Sequence, residues 1–405
     1  MGTFEGRPLF SARWRELAKT FLKLGATSFG GPAIIGIIHS ELQEKRGWLT
    51  RERFLEGVSL VNMLPGGAVM QLCIFIGYQR AGWRGGLLAG LAFLLPPTCI
   101  MLALTLLYAS YGALPIMRDA LYGLGPVVLG IYLVTVIRLG AAALTNSWQV
   151  VIACVAAVTL AFTPIGIVGI LLLAGCGGVA LYHSPKWGTI AAFAVAIALL
   201  GWHLGSTVLP AQLEAMTLSS GREPGLLSIA IFFASVGAFT FGGGITILAF
   251  VQEQVVNQLN WLTPQEFLDG LALGQLSPGP VLMLATYVGY KLAGIPGALV
   301  GQVAIYVPSF ALMLSILPVL ARFRDILWIK AAMRGVGAGV IGVISISLLH
   351  LMPHAAPDAF TGTLLGLTVA VMLVFSVGVF PLIIGGALAG MASGYRPLQR
   401  LREMV

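Results

Sequence analysis

Four interruptions in otherwise apolar stretches hold the residue types that could do chemistry. They are Gly30-Gly31-Pro32, Leu64-Pro65-Gly66-Gly67, Gly242-Gly243-Gly244 and Ser277-Pro278-Gly279-Pro280. Proline is favoured at the first position of a helix, where its missing N–H would have had no partner anyway. Each interruption therefore predicts one helix ending and another beginning. The new helix exposes backbone N–H groups at an N-terminus that carries about half a positive charge. Inside a membrane such amides cannot face lipid and must meet protein, water or a ligand. Several of them converging would hold an anion without help from arginine, and glycine would let it come close to the backbone.

The predicted binding set follows from the interruptions and their flanks. It comprises Ser28, Phe29, Gly30, Gly31, Pro32, Asn62, Pro65, Gly66, Gly67, Thr240, Phe241, Gly242, Gly243, Gly244, Gln275, Pro278, Gly279 and Pro280. Ser28, Asn62, Thr240 and Gln275 could donate hydrogen bonds to a bound anion, or singly serve as interhelical polar contacts. Four acids, Glu41, Glu253, Glu56 and Asp269, are candidates for carrying a coupling proton, a common role for carboxylates in membrane transporters. Their plainer alternative is a solvated loop acid for Glu41 and Glu253, and an acid near a helix start for Glu56 and Asp269. Arg118, Arg138, Lys291 and Arg334 lie near the ends of apolar runs, where long cations snorkel.

Composition says what must position these residues. Of the 405 residues 9% are charged and 58% hydrophobic, and the mean hydropathy is +0.94. A soluble domain is about 25% charged. An ordinary soluble enzyme, a disordered chain and a nucleic-acid binder are thereby excluded. Long continuous runs such as 87–107, 150–162 and 364–375 lack the alternation of a transmembrane barrel. The fold class is all-α, a polytopic helical membrane protein. Cys73, Cys99, Cys154 and Cys176 lie inside apolar segments with no C-x-x-C pair, and read as buried small apolar residues. The five histidines show no metal-ligand spacing, and no nucleotide-binding loop or hydrolase motif occurs. No cofactor or metal is expected.

The chain also reads as one motif set written twice. FLKLGATSFGG at Phe21–Gly31 aligns with FASVGAFTFGG at Phe233–Gly243, and Trp48-Leu49-Thr50 with Trp261-Leu262-Thr263. Pro65-Gly66 aligns with Pro278-Gly279, Gly77-Tyr78 with Gly289-Tyr290, and Gly123, Gly125 and Gly130 with Gly335, Gly337 and Gly342. The expected organisation is a first repeat plus one extra span over 1–205, a polar connector over 206–225, and a second repeat over 226–405. The loop 40–53 holds Lys45, Arg46, Arg51 and Arg53, whereas its counterpart 251–265 holds no Lys or Arg. By the positive-inside rule the two loops face opposite sides, so the second repeat is expected to be inverted. The first broken segments, 21–39 and 54–79, have basic residues at both ends, which fits re-entrant hairpins better than full crossings. Inverted repeats with broken helices place a substrate near the membrane midplane.

With these motifs the sequence resembles the chromate ion transporter family, in its long two-domain form. The resemblance rests on FGGP (Phe29–Pro32), ELQEKRGWLTRERF (Glu41–Phe54), the Pro65-Gly66 break and GYQRAGWRGG (Gly77–Gly86), and in the second copy on FGGG, WLTPQEFLDG, LSPGP and GYKLAGIPG. Two departures stand out. The first copy has Pro-Gly-Gly where the family form is Pro-Gly-Pro, and the second has Gly-Gly-Gly where it is Gly-Gly-Pro. The resemblance implies a secondary transporter that exports chromate across the bacterial inner membrane, with the proton gradient as the coupling source and sulfate as a look-alike ligand. It implies lipid as surroundings, leaves a homo-oligomer open, and offers no role for nucleic acid. The alternatives are an uptake permease for sulfate or another oxyanion, and a membrane-embedded enzyme, for which the sequence offers no clustered acid, base or metal set.

Overall fold

An apolar chain in hydrocarbon must pair its own amides and carbonyls, and an α-helix does so within one segment. The computed structural model describes residues 10–29, 33–112, 114–163, 165–208, 224–240, 246–319, 327–375 and 377–393, and every regular element among them is helical. The first half contains α1 (Phe10–Thr27), α2 (Ala33–Ile38, continued by a π-helical turn at His39–Lys45), α3 (Arg51–Met63), α4 (Ala68–Tyr111), α5 (Pro115–Ala143), α6 (Ser147–Phe162), α7 (Ile167–Tyr182) and α8 (Pro185–Val208). The second half contains α9 (Leu226–Ala238), α10 (Thr246–Val251, continued by a π-helical turn at Gln252–Gln258), α11 (Pro264–Leu276), a 3-10 turn at Val281–Met283, α12 (Leu284–Ile316), α13 (Leu327–Ala355), α14 (Ala359–Phe375) and α15 (Val379–Ser393). Four of the described segments are long and apolar enough to cross a membrane: Ala68–Tyr111, Pro115–Ala143, Val281–Ile316 and Leu327–Ala355.

The Trp-Leu-Thr motifs are helix starts. Thr50 Oγ accepts a hydrogen bond from the Arg53 N–H at 3.3 Å. Thr263 does the same for Glu266 at 3.2 Å, and the Glu266 carboxylate accepts the Thr263 N–H at 2.9 Å. This reciprocal box satisfies two amides that a bare helix end would leave open.

The broken segments are hairpins. The Trp48 ring lies 6.2 Å from Phe21 and 4.9 Å from the Arg80 guanidinium, which is itself 3.7 Å from Glu16. Residues 16, 21, 48 and 80 therefore share one level, and the chain between them goes in and returns twice. α3 runs back along the first arm of α4, so a Cβ at Gly57 would sit 2.6 Å from the Phe75 ring. α4 then folds on itself at Ala81–Gly82, where Gly82 has φ +66°. A Cβ on Gly77 would lie 2.4 Å from the carbonyl oxygen of Gly85, whereas eight residues of straight helix would separate them by about 12 Å.

The second half repeats these contacts. Phe232 stacks edge-on against Trp261 at 5.3 Å. A Cβ on Gly270 would meet the Tyr287 ring at 2.5 Å, and one on Gly289 would meet the Gly297 carbonyl at 2.2 Å across a turn at Ala293–Gly294. The base of this set carries the Lys291–Glu266 pair at 2.7 Å, and Asp269 one turn along α11 accepts a hydrogen bond from Tyr108 at 2.7 Å. Arg84 and Tyr108 stand at the two ends of the long arm of α4, about 36 Å apart along the helix. The two sets of hairpins thus reach in from opposite ends of that arm.

The central helices α5 and α13 exchange partners between the halves. α5 packs on α14 and α15, while α13 packs on α6 and α7. Small residues make these crossings close. A Cβ at Gly123 would lie 2.2 Å from the Gly386 carbonyl, and one at Gly335 would lie 2.1 Å from the Ala174 carbonyl. The outer surface is apolar: Trp187, Ile190, Phe193 and Ile197 on α8 are exposed, as are Phe162 and Phe375. Lipid solvates such a surface, and water does not.

Two sequence expectations change in detail. Only Cys73 is buried by protein; Cys99 and Cys154 are exposed and Cys176 is partly so. An apolar run does not tell which of its faces meets protein and which meets lipid. Of the expected connector over 206–225, residues 209–223 lie outside the described residues.

The close crossings predict that Gly123→Ala and Gly335→Ala each cost about 1–3 kcal/mol through overpacking. Gly366, with nothing within 4 Å of its would-be Cβ, is the control, and Gly366→Ala is expected to leave stability unchanged or slightly raised. Thermal unfolding of the purified protein in detergent checks this. Equal melting temperatures for all three would refute the packing account.

Candidate functional site

The hairpin tips meet each other. The Gly66 N–H donates to the Thr240 carbonyl at 2.6 Å, and the Gly279 N–H donates to the Ser28 carbonyl at 2.7 Å. Each bond joins a tip of one half to a tip of the other. The Gly67 N–H, at the start of α4, donates to Ser309 Oγ of α12 at 3.0 Å. Glycine is required at both corners. Gly66 has φ +119° and Gly279 φ +98°, backbone conformations that other residues rarely adopt. A Cβ at Gly66 would lie 2.4 Å from Gln71 Nε2 and 2.5 Å from Ser309 Oγ, and one at Gly279 would lie 2.9 Å from Pro97 Cβ.

The sequence predicts free amides at these corners, and the structure pairs them. The reason is the cost of an unpaired N–H in a dry interior, several kcal/mol in an apolar medium. The opposing tip supplies the acceptor.

Of the predicted residues, Ser28, Gly66, Thr240 and Gly279 are brought into direct contact. The Pro65 carbonyl accepts from Gln71 Nε2 at 2.6 Å. Gln275, Ser277 and Gly279 line a small cavity with Tyr132, Gly270, Leu271, Gly274, Val281 and Leu284. Its volume is about 10 Å³, room for about one water and less than a tetrahedral oxyanion. Pro278 precedes the Gly279 corner, and Pro280 precedes the 3-10 turn that leads into α12. Phe29 is exposed and sets its ring 5.9 Å from Phe380. Asn62 does not join the tips. It is exposed on α3, although Gln275 at the corresponding position of α11 faces the cavity. Gly30, Gly31, Pro32, Phe241, Gly242, Gly243 and Gly244 lie outside the described residues.

Sequence reasoning missed Gln71, Tyr132, Tyr306 and Ser309. Gln71 was signalled, since an amide six residues after Pro65 stands alone in an apolar run. The others sit on distant helices and gave no local sign. Among the described residues three side-chain atoms here are buried without a hydrogen-bond partner: Ser28 Oγ, Gln71 Oε1 and Tyr306 Oη. The Tyr306 ring is 3.5 Å from where a Cβ on Gly67 would be. A buried polar atom left unpaired costs about 1–3 kcal/mol, so three around one junction call for a partner.

The four acids separate by environment. Glu41 sits at a hairpin base, 3.2 Å from Arg46 and 3.4 Å from Lys45. Burial pulls its pKa up, but the hydrogen bonds from Arg46 and Lys45 and the nearby positive charge outweigh it and hold the carboxyl below its ordinary value. Glu253 accepts from Asn257 at 2.8 Å and from Gln258 at 3.2 Å. Glu56 pairs with Arg53 at 2.6 Å. Asp269 differs, being 8% exposed and held by the Tyr108 hydroxyl at 2.7 Å and Gln265 Nε2 at 3.2 Å. Among the cations, Arg138 donates to the Met372 carbonyl at 2.7 Å, and Arg334 lies over the Tyr182 ring at 5.4 Å.

Comparison with known proteins matches this architecture to one family. The sequence model of that family, Chromate transporter, matches residues 15–181 and 227–391. The chain is 33% identical over 380 residues to a chromate transport protein of Cupriavidus metallidurans, covering 92% of this chain and 91% of the relative. It is 33% identical over 349 residues to a probable chromate transport protein of Synechococcus elongatus, covering 84% and 86%. It is also 33% identical over 348 residues to a chromate transport protein of Pseudomonas aeruginosa, covering 83% and 80%. No solved structure matches the chain. On the extent of these matches, and as a helical membrane protein, the chain belongs to the chromate transporter family.

Proposed function

We propose that the protein exports chromate across the bacterial inner membrane, exchanging it against protons, and that the anion is held where the hairpin tips meet. The observation that carries this proposal is the pair of tip-to-tip bonds, Gly66 to Thr240 and Gly279 to Ser28, surrounded by polar atoms that have no partner among the described residues. An oxyanion would take the place of the two carbonyls, accepting the Gly66 and Gly279 amides and the hydroxyls of Ser28 and Tyr306. Chromate is a tetrahedral dianion and needs several donors at once. The amides supply donors once the tip-to-tip bonds open, and α4 adds its N-terminal dipole through Gly67.

The two halves act as inverted repeats in this proposal. The matching helices on either side, the two matched stretches of the family model and the entry of the hairpins from opposite ends of α4 support it. The basic residues of the first hairpin bases, including Arg46, Arg53 and Arg80, support a cytoplasmic position for that end. Outward movement of a dianion from a negative-inside cell is favoured by about 2.3 kcal/mol per charge per 100 mV. The names of the relatives given above favour chromate over sulfate as the cargo.

Gly274 lines the cavity, and a Cβ there would meet nothing within 4 Å. Gly274→Ala should therefore fold and yet fill the cavity, slowing release of labelled chromate from preloaded proteoliposomes by about tenfold or more. Wild-type flux from a folded Gly274→Ala protein would place the path elsewhere.

Ser28→Ala and Tyr306→Phe each remove one donor and little volume. Each should raise the chromate KM between about twofold and tenfold, the equivalent of one net hydrogen bond. An unchanged KM in both would remove these hydroxyls from the site, and stronger competition by sulfate than by chromate itself would favour an oxyanion permease.

A further inference from the structure

Asp269 is the buried carboxylate that the tip junction leaves unexplained. It is six residues before Gln275 on α11, and its neighbour Gly270 lines the cavity at the second tip. Its main partner, Tyr108, belongs to the far end of α4 in the other half. That one hydrogen bond ties the helix that carries the Ser277-Pro278-Gly279 tip to a membrane-crossing arm of the first half. Tyr287 of α12 sets its ring 5.8 Å from Tyr108, and its buried hydroxyl interacts with that of Tyr108. The equivalent acid in the first half, Glu56, is instead paired with Arg53.

We infer that the Tyr108–Asp269 contact is a proton-operated latch on the outer side of the transporter, coupling proton entry to the opening of α11. The inference rests on the transport reading proposed above. A hydroxyl donating to a carboxylate makes a charge-assisted bond, roughly twice as strong as its neutral counterpart. When Asp269 takes a proton from the outer aqueous face, the bond loses its charge and α11 is freed to move its tip away from Ser28. When the proton leaves, the latch re-forms. The titratable and charged groups acting on Asp269 are Tyr108 from α4, Tyr287 and Lys291 from α12, and Glu266 from α11 itself, while α5 brings Tyr132 to the cavity wall beside Gly270. Lys291 and Glu266 pair with each other at the base of the hairpin. Both side chains are partly exposed and act on Asp269 electrostatically. Arg46, Arg53, Arg80 and Arg84 lie at the opposite end of α4, so the latch faces the side from which protons are driven inward.

The test uses the full chain in proteoliposomes, with two assays on the same preparations. One measures chromate flux with and without an imposed pH gradient. The other measures exchange of labelled for unlabelled chromate with no gradient. Asp269→Asn is expected to abolish the acceleration by the gradient while keeping at least half of the exchange rate, and Glu56→Gln is expected to keep both. Tyr108→Phe is expected to retain coupling but to move the midpoint of the pH–flux profile upward, because the anion loses its hydroxyl donor. If Asp269→Asn does not fold, the Tyr108→Phe profile decides. The latch is overturned if Asp269→Asn responds to the gradient like the wild type, if it loses exchange as completely as gradient-driven flux, or if Tyr108→Phe leaves the profile in place. A wild-type protein with exchange but no gradient response overturns the latch and spares the chromate site. A wild-type protein with no exchange overturns both.

Discussion

The requirement that no backbone amide face hydrocarbon governs the structure. A helix that stops at mid-membrane breaks this rule unless something accepts its first N–H groups. Here the acceptor is another interrupted helix. Gly66 bonds to Thr240, and Gly279 bonds to Ser28, so each half satisfies what the other leaves open. The cost of breaking both helices is offset only when the four tips are together. This ties the hairpins of one half to those of the other more strictly than their apolar contacts would.

The same logic extends to the scaffold. α5 and α13 do not pack chiefly on helices of their own half. Their glycine faces, at Gly123 and Gly335, accept backbone from α15 and α7 at distances that leave no room for a side chain. In lipid, apolar side chains gain little by meeting each other rather than acyl chains, so close backbone approach supplies much of the association.

Symmetry in position does not mean symmetry in chemistry. Gly67 donates to Ser309, while the corresponding residue of the second half is Pro280, which has no N–H to give. Gln275 lines a cavity while Asn62 faces outward. Asp269 is buried under a tyrosine, whereas Glu56 is paired with an arginine. In the proposed transport reading, these unequal halves present one side to an anion and reserve the other for a proton.

The sequence alone determined the helical membrane class, because 9% charge and long apolar runs leave no other way to solvate the chain. It also located the interruptions, since Gly and Pro act locally through φ and the missing N–H, and through the spacing of Pro65-Gly66 and Pro278-Gly279 it pointed to a single junction. It could not tell that the amides would be paired tip to tip, that Ser309 and Tyr306 of α12 would reach Gly66 and Gly67, or that Tyr108 would find Asp269 161 positions away. Nor could it separate Glu41, Glu253 and Glu56 from Asp269, as a carboxylate's role depends on burial and partners. Local chemistry is written in neighbouring residues. Which polar atom meets which is decided only when distant helices come to the same depth, and that is a property of packing.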